Sequence, residues 1–382
     1  MLSPESQAVF TIGLQSSCKF ISLMQYTYYQ MGIRAKTPHA HAPITQTTIA
    51  QLTGVSQGVV SAVLNENFTK IRVAPAVQQR VWNKAQALGY RVNAGARAMR
   101  TRRYFNVGYF LANTPGTMAE IDFPEFRAGA YDAAVAQDYH VSLIRLPSTV
   151  RGKINPIPKA FREAHLDALV INQMGGGFTT ELHRSILASG FPVVYLNDKQ
   201  PTNALYFDDF ESAQRLTEHL IKQGYRQIQY LAEPVAESRH YSTLDRREGY
   251  IATMAAHGLT PTFQTLDSDA PRDELIRWLR GAQKPEAIFC SRDRDALLLQ
   301  TVAYAAGLRI PEDLAVASGS NERRLDDYFI VPLTTMIPPR YEMATAAIKM
   351  ALSMVGTNLS HTMPAITFTA ELRVGASAPE RA

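Results

Sequence analysis

The chain has 382 residues, 46% of them hydrophobic and 19% charged, which is the make-up of an ordinary globular protein with room for two or three domains. No apolar run approaches the roughly 20 residues that span a bilayer, so no membrane-spanning helix is expected. The two cysteines, Cys18 and Cys290, are too few for a disulfide framework or a metal site, and a reducing cytoplasm is the expected setting. The formal net charge of +5 is unevenly spread. Residues 31–103 carry eleven Lys or Arg against Glu66 alone, a net +10, whereas residues 104–382 carry 27 bases and 32 acids, a net −5. Concentrated basic charge is what phosphate neutralisation on a nucleic acid requires.

Residues 1–43 have few charges and no clear period, and their weakly apolar stretch Ala8 to Leu14 lacks the basic flank of a signal peptide. They are expected to be a disordered extension, or to lie outside the functional protein with translation starting at Met24 or Met31. From Thr45 the pattern sharpens. Thr45 stands at the capping position of a short helix running to Thr53, Gly54-Val55 breaks it, and Ser56 caps a second helix ending near Asn65. Two short helices around a glycine-containing turn form a helix-turn-helix pattern. Helical spacing turns Ile49, Val55, Val60, Val63 and Leu64 to a common interior and leaves Gln57, Gly58, Ser61 and Ala62 on the opposite face. A third helix opens on Pro75, ends before Gly89-Tyr90, and offers Val77, Val81, Ala85 and Leu88 to the core.

After Arg103 the texture becomes alternating. Apolar runs at 106–111, 141–146, 168–172, 193–196, 227–231, 287–290 and 314–318 are expected to be buried parallel strands. Helical stretches lie between and after them at 126–137, 180–189, 212–223, 245–257, 272–280, 294–306 and 340–355. This alternation predicts an α/β fold of doubly wound open sheets with ligand sites at the strand carboxyl ends. About 280 residues exceed one such sheet, so two lobes are expected. Trp82 and Trp278 are expected to be packing residues.

Three blocks then carry a resemblance: G-V-S-x-x-x-V-S-x-V-L-N (Gly54 to Asn65), R-V-x-x-x-A-x-x-L-G-Y-R (Arg80 to Arg91) and N-A-x-A-R-x-M-R (Asn93 to Arg100). In this order the chain resembles the LacI/GalR family of transcriptional regulators. The resemblance implies a DNA-binding domain at 44–90, a hinge helix and linker at 91–103 that folds on operator DNA, and a two-lobed, periplasmic-binding-protein-like effector-binding and dimerisation domain at 104–382. It implies that Met99, where the family usually has Leu, is an apolar wedge in the minor groove. Implied DNA contacts are Thr45, Ser56, Gln57, Gly58, Ser61, Ala62, Asn65, Asn93, Arg97, Met99 and Arg100, with Arg102 and Arg103 adding charge. Gln57 is the candidate for direct readout through adenine N6 and N7, and the Ala62 methyl could meet a thymine methyl.

Looser landmarks continue the resemblance: Asp122-Phe123 with Gly129, ALYFDDFESA from Ala204, Arg246-x-x-Gly249-Tyr250, Ile310 to Leu314, Pro332 to Thr335, and a closing strand at Glu371-Leu372-Arg373. The implied effector contacts are Asp122, Phe123, Arg246, Arg292, Asp293 and Asn321. Two departures bear on the effector. Arg292 stands where the family usually has Asn, and Asn321 where it has Asp. Both changes replace acceptors with donors, which favours an anionic or carbonyl-bearing effector over a plain neutral sugar. Equally open are an Arg292–Asp293 or Arg292–Glu322 ion pair without a ligand role, and a cleft that takes no small molecule.

Other signals carry less. Gly175-Gly176-Gly177 fits neither G-x-G-x-x-G nor a phosphate-loop pattern, the nine histidines have no metal spacing, and no G-x-S-x-G elbow nominates a nucleophile. No catalytic residue, metal or cofactor is therefore expected. The partners expected are double-stranded operator DNA, a small-molecule effector (a sugar or related compound, or an anionic metabolite) and a second copy of the chain, with no membrane. The alternative is a solute-binding protein on the same two-lobed fold.

Overall fold

The computed structural model describes residues 44–69, 71–112, 123–145, 163–173, 180–188, 190, 192–232, 240–265, 272–321, 328–357 and 362–380. The expected extension 1–43, Asp122, the glycines 175–177 and Glu322 lie outside these residues. The chain divides into two compact units, Met1–Asn93 and Ala94–Ala382.

In the first unit, three helices close on one small core. Thr45 caps α1 (Gln46–Thr53) with a reciprocal box to Thr48, and Gly54 ends it in the left-handed conformation at φ +67°. Ser56 caps α2 (Gln57–Leu64) by accepting the Val59 N–H at 3.3 Å. Each hydroxyl serves one of the amides that a helix start leaves unbonded. Helix α3 (Pro75–Ala87) starts on proline, whose missing N–H is no loss there. Ile49, Val60, Val63, Leu64, Val81 and Ala85 form the core, with Val55 and Leu88 packed against it. Trp82, expected to pack, is 42% exposed on α3; it follows Val81 directly and so points off the core stripe.

The second unit opens with α4 (Ala94–Thr101) and then builds two sheets. The first comprises β1 (Asn106–Ala112), β2 (His140–Arg145), β3 (Ala168–Gln173), β4 (Val193–Leu196), β5 (Ala204–Phe207) and β11 (Ile366–Phe368). The second comprises β6 (Ile228–Ala232), β7 (Thr262–Thr265), β8 (Ala287–Cys290), β9 (Ala315–Ser318), β10 (Thr334–Ile337) and β12 (Glu371–Arg373). The spatial orders are β11-β5-β4-β3-β1-β2 and β12-β10-β9-β8-β6-β7, the same winding used twice. All pairs are parallel except β10 with β12.

Helices cover both faces of each sheet, as parallel sheets require. On one face of the first sheet α5 (Pro124–Val135) packs with α11 (Arg340–Ser353), and α6 (Thr180–Ala188) lies on the other. On the second sheet α7 (Asp209–Lys222) and α8 (Tyr241–Ala256) share one face, opposite α9 (Arg272–Arg280) and α10 (Asp293–Ala305). A glycine permits each close helix pair. A Cβ at Gly129 would come within 2.2 Å of the Tyr341 carbonyl oxygen, and one at Gly249 within 2.3 Å of that of Phe210. Trp278 packs against the core beneath α9, as expected.

Two expectations need correction. Strand β2 is not buried but mostly half or fully exposed, because it is an edge strand with a neighbour on one side only. Four strands, β5, β7, β10 and β11, were absent from the expected set. They have three or four residues, and β7 and β11 are mostly exposed, so these two lack the buried apolar run that marks the equally short β4, β8 and β9. The chain passes between lobes at Asp208, at Pro338-Pro339 and at Thr369-Ala370, so each lobe is assembled from separate segments.

Candidate functional site

Two groups of side chains matter, one in each unit. In the first, Gln57 stands exposed at the start of α2, its Nε2 donating to Gln46 Oε1 at 2.8 Å, so the amide is held in place by α1. Gly58 is exposed beside it. Thr45 and Ser56 are exposed as well, with their hydroxyls engaged in the caps. Ser61 and Ala62, expected on the exposed face, are buried at 8% and 7% exposure. The chain leaving α2 turns back along that side, where the Asn67 N–H donates to the Ala62 carbonyl at 2.9 Å. Asn65 is half-buried and turns inward too, its Nδ2 donating to the Ser61 carbonyl at 2.7 Å. The four positions that spacing offers as a reading face thus reduce, on α2 itself, to Gln57 and Gly58 in its first turn.

Asn93 is exposed at the end of the first unit. On α4, Met99 is 87% exposed, the largest exposure of any large apolar side chain among the described residues, while Ala98 beside it is buried. Arg100 is exposed. Arg97 lies with its guanidinium 4.4 Å from the centre of the Phe105 ring, a cation–π contact, and Arg103 donates to the Val355 carbonyl at 3.1 Å. The connector after α4 is clasped by Asp167, whose carboxylate accepts the N–H groups of Tyr104 and Phe105 at 2.7–3.0 Å. Arg102 and Phe105 both take positive φ, +55° and +52°, which non-glycine residues adopt only when held there. The clasp and the Arg97 contact are what hold them. Neither was legible beforehand, since residues 105 and 167 are 62 apart in sequence.

In the second unit the strand order reverses between β1 and β3 and again between β6 and β8, and in such folds ligands bind beyond the strand ends at these points. Arg246 and Asp209 form a buried ion pair there, Nε to Oδ1 at 2.8 Å, and Arg246 also donates to the Ser291 carbonyl at 3.0 Å. Burial pushes the Asp209 carboxyl above its ordinary range, against the pull of Arg246. Gly319 leaves room for Arg246, whose Cδ a side chain at 319 would meet at 3.2 Å. Next in the chain, Ser320 accepts from Arg340 Nη2 at 3.3 Å, and the Arg340 guanidinium lies 4.2 Å from the centre of the Phe123 ring. Arg246, Ser320, Asn321, Arg340 and Phe123 are all at most 9% exposed. Phe123 of the first lobe is thereby joined to the second through Arg340.

Arg292 stands at the N-cap position of α10 and pairs with Asp295, Nε to Oδ2 at 3.3 Å, a partner other than the two expected ones, of which Glu322 lies outside the described residues. Three residues along a helix bring side chains onto one face, whereas adjacent residues diverge. Asp293 is fully buried. The added positive charge at Arg292 is therefore matched by a carboxylate of its own helix, as that at Arg246 is by Asp209. Sequence reasoning missed Arg340, Asp209 and Asn172. Asn172 is buried at the end of β3, donating to the Tyr109 hydroxyl at 2.7 Å while its Oδ1 has no partner among the described residues. Arg340 carries no signal of its own in the sequence, because the crossover that places it is visible only in the fold.

The family described as a periplasmic binding protein-like domain matches residues 217–378. The catabolite control protein A of Priestia megaterium is 24% identical over 315 residues, 80% of this chain and 91% of that protein. The HTH-type transcriptional regulator AglR of Rhizobium meliloti (strain 1021) is 27% identical, covering 82% of this chain and 88% of its own. The lac repressor dimer bound to operator and an anti-inducer superimposes with a TM-score of 0.69 at 18% identity, covering 89% of this chain and all of the repressor chain. Over most of its length the chain is similar to these transcriptional regulators. This likeness fits the arrangement of two side-chain-capped helices with a third opening on proline, a short helix with an exposed apolar side chain, and two lobes of identical winding. Among the described residues no helix is long and apolar enough to cross a membrane, and no group of three metal-ligating side chains gathers.

Proposed function

We propose that this protein is a sequence-specific, DNA-binding transcriptional regulator of the LacI/GalR family, a repressor, controlled by a small molecule held between its two α/β lobes. The observation that carries this reading is its correspondence with the whole lac repressor chain, a protein solved on its operator, together with the +10 charge confined to residues 31–103. Residues 44–90 are the DNA-binding domain, 91–103 the hinge and 104–382 the effector-binding and dimerisation domain. A homodimer places two α2 helices in successive major grooves of operator DNA and two Met99 side chains in the minor groove between them. The effector, a sugar or related small molecule and in this chain one that can be anionic, contacts Phe123, Arg246 and Asn321. It acts through different affinities for two lobe arrangements. The solute-binding alternative gives no task to residues 44–101.

The reading is tested on a duplex selected by the full chain from a random library. Met99→Gly should lower affinity for that duplex by roughly tenfold or more, about 1.4 kcal/mol, while the weak, salt-sensitive binding to unrelated duplex persists. Equal losses on both duplexes contradict the wedge role.

A further inference from the structure

The chain leaving α2 folds back over the side of the helix that faces away from the core. Gly58 stands two residues before Val60 and Ala62 two after it, so each lies roughly 160° around the helix from that core residue. A Cβ at Gly58 would meet Ile71 Cδ1 at 3.8 Å, which places the Ile71 side chain against the first turn of α2. The return is a defined turn. Glu66 takes φ +52°, the Asn67 N–H donates to the Ala62 carbonyl at 2.9 Å, and Asn67 Oδ1 accepts both the N–H and the hydroxyl of Thr69 at 3.3 and 2.6 Å. An Asn side chain bonding the backbone two residues on is a self-made turn that does not need a tertiary partner.

This turn leaves Phe68 36% and Ile71 37% exposed, and Arg72 exposed beside them. Two large apolar side chains therefore stand at the surface of the most basic part of the chain, and Ile71 lies against the turn of α2 that begins with Gln57. A partner for such a surface must join negative charge to small apolar patches. The major groove of duplex DNA does so, with thymine C5-methyls on its floor between two phosphate rails. The helix itself supplies little readout there: Gly58 has no side chain, and Ser61 and Ala62 are covered.

We propose that two apolar side chains after α2, Ile71 and Phe68, are base-reading groups that contact thymine methyls alongside Gln57. The proposal rests on the DNA-binding function given above. Gly58 acquires a reason within it, since a long side chain at that position would displace Ile71 from the helix.

The test replaces thymines of the library-selected duplex one at a time by deoxyuridine, which removes the methyl and leaves the hydrogen-bonding pattern unchanged. One buried methyl corresponds to about 0.8 kcal/mol, or roughly a fourfold change in affinity. The full-length protein should lose about that factor at one or two positions in each half-site. Ile71→Ala and Phe68→Ala should lose a similar factor on the unmodified duplex and become insensitive to deoxyuridine at the corresponding position, whereas Ile71→Val retains the sensitivity. Unchanged thermal unfolding of each variant excludes misfolding as the cause. A flat deoxyuridine scan, or alanine variants as sensitive as the parent, overturns the proposal and leaves the DNA-binding function standing. A library that enriches no sequence overturns both.

Discussion

At His240 a half-buried ring ties the lobes together. Its Nε2 lies 3.0 Å from the Asn197 carbonyl in the first lobe, while Nδ1 accepts the Ser242 N–H at the start of α8 and pairs with the Ser242 hydroxyl at 2.7 Å. Burial pushes the imidazole below its ordinary value of 6.5, outweighing the raising effects of the Asn197 carbonyl, Asp209 and Asp198; Arg246 acts in the same direction as burial. The ring is neutral, with its proton on Nε2. Because the folded chain takes up this proton less readily than the unfolded one, the stabilisation is present above pH 6.5 and is lost as pH falls toward the folded value. A charge on Nδ1 would also face the positive end of α8. Melting temperature should therefore fall as pH drops below 6.5, and His240→Gln should show a shallower fall. Parallel profiles would contradict the assignment. Little of this was visible in sequence, where His240 is one of nine scattered histidines. The caps at Thr45 and Ser56 were visible, since a cap is a local matter of residue type and spacing. Ser61 and Ala62 were misplaced for the converse reason. Helical periodicity reports the side facing away from the core but not what the following loop lays over it.

The elements themselves divide along the same line. Long helices and the central strands followed from apolar spacing over eight or more residues, or from runs bounded by turns. The three- and four-residue strands β5, β7, β10 and β11 are fixed by neighbours distant in sequence, as when Ile366 of β11 pairs with Leu205 of β5. Paired helices depend on single glycines in the same non-local way. Gly129 and Gly249 lie in landmarks of the family resemblance, and the structure gives each a steric reason in a carbonyl oxygen 2.2 or 2.3 Å from where a methyl would stand. Gly249→Ala must part α8 from α7, or shift the backbone at Phe210, and should destabilise the second unit by about 1–3 kcal/mol. Gly129→Ala should act likewise on α5 and α11. Urea unfolding measures both, and alanine variants as stable as the parent would show that these helix pairs have slack.

Across the whole molecule, sequence separated a basic reader from an acidic sensor by charge alone, +10 over residues 31–103 against −5 beyond. Alternating strands and helices implied two lobes. The threefold passage of the chain between them was not legible, because crossovers at Asp208, Pro338-Pro339 and Thr369-Ala370 are short and carry no pattern of their own. These passages make the lobes one mechanical unit, joined also by His240 with Asn197, Lys199 with Asp245, and Arg340 with Phe123. Regulation requires that such contacts differ between two arrangements and that a ligand prefer one of them. The most direct measurement is capture of genomic DNA fragments by the purified full chain at moderate salt, followed by sequencing. A small set of enriched sites with imperfect two-fold symmetry is the predicted result. Uniform, weak enrichment that vanishes as salt rises would contradict a sequence-specific regulator.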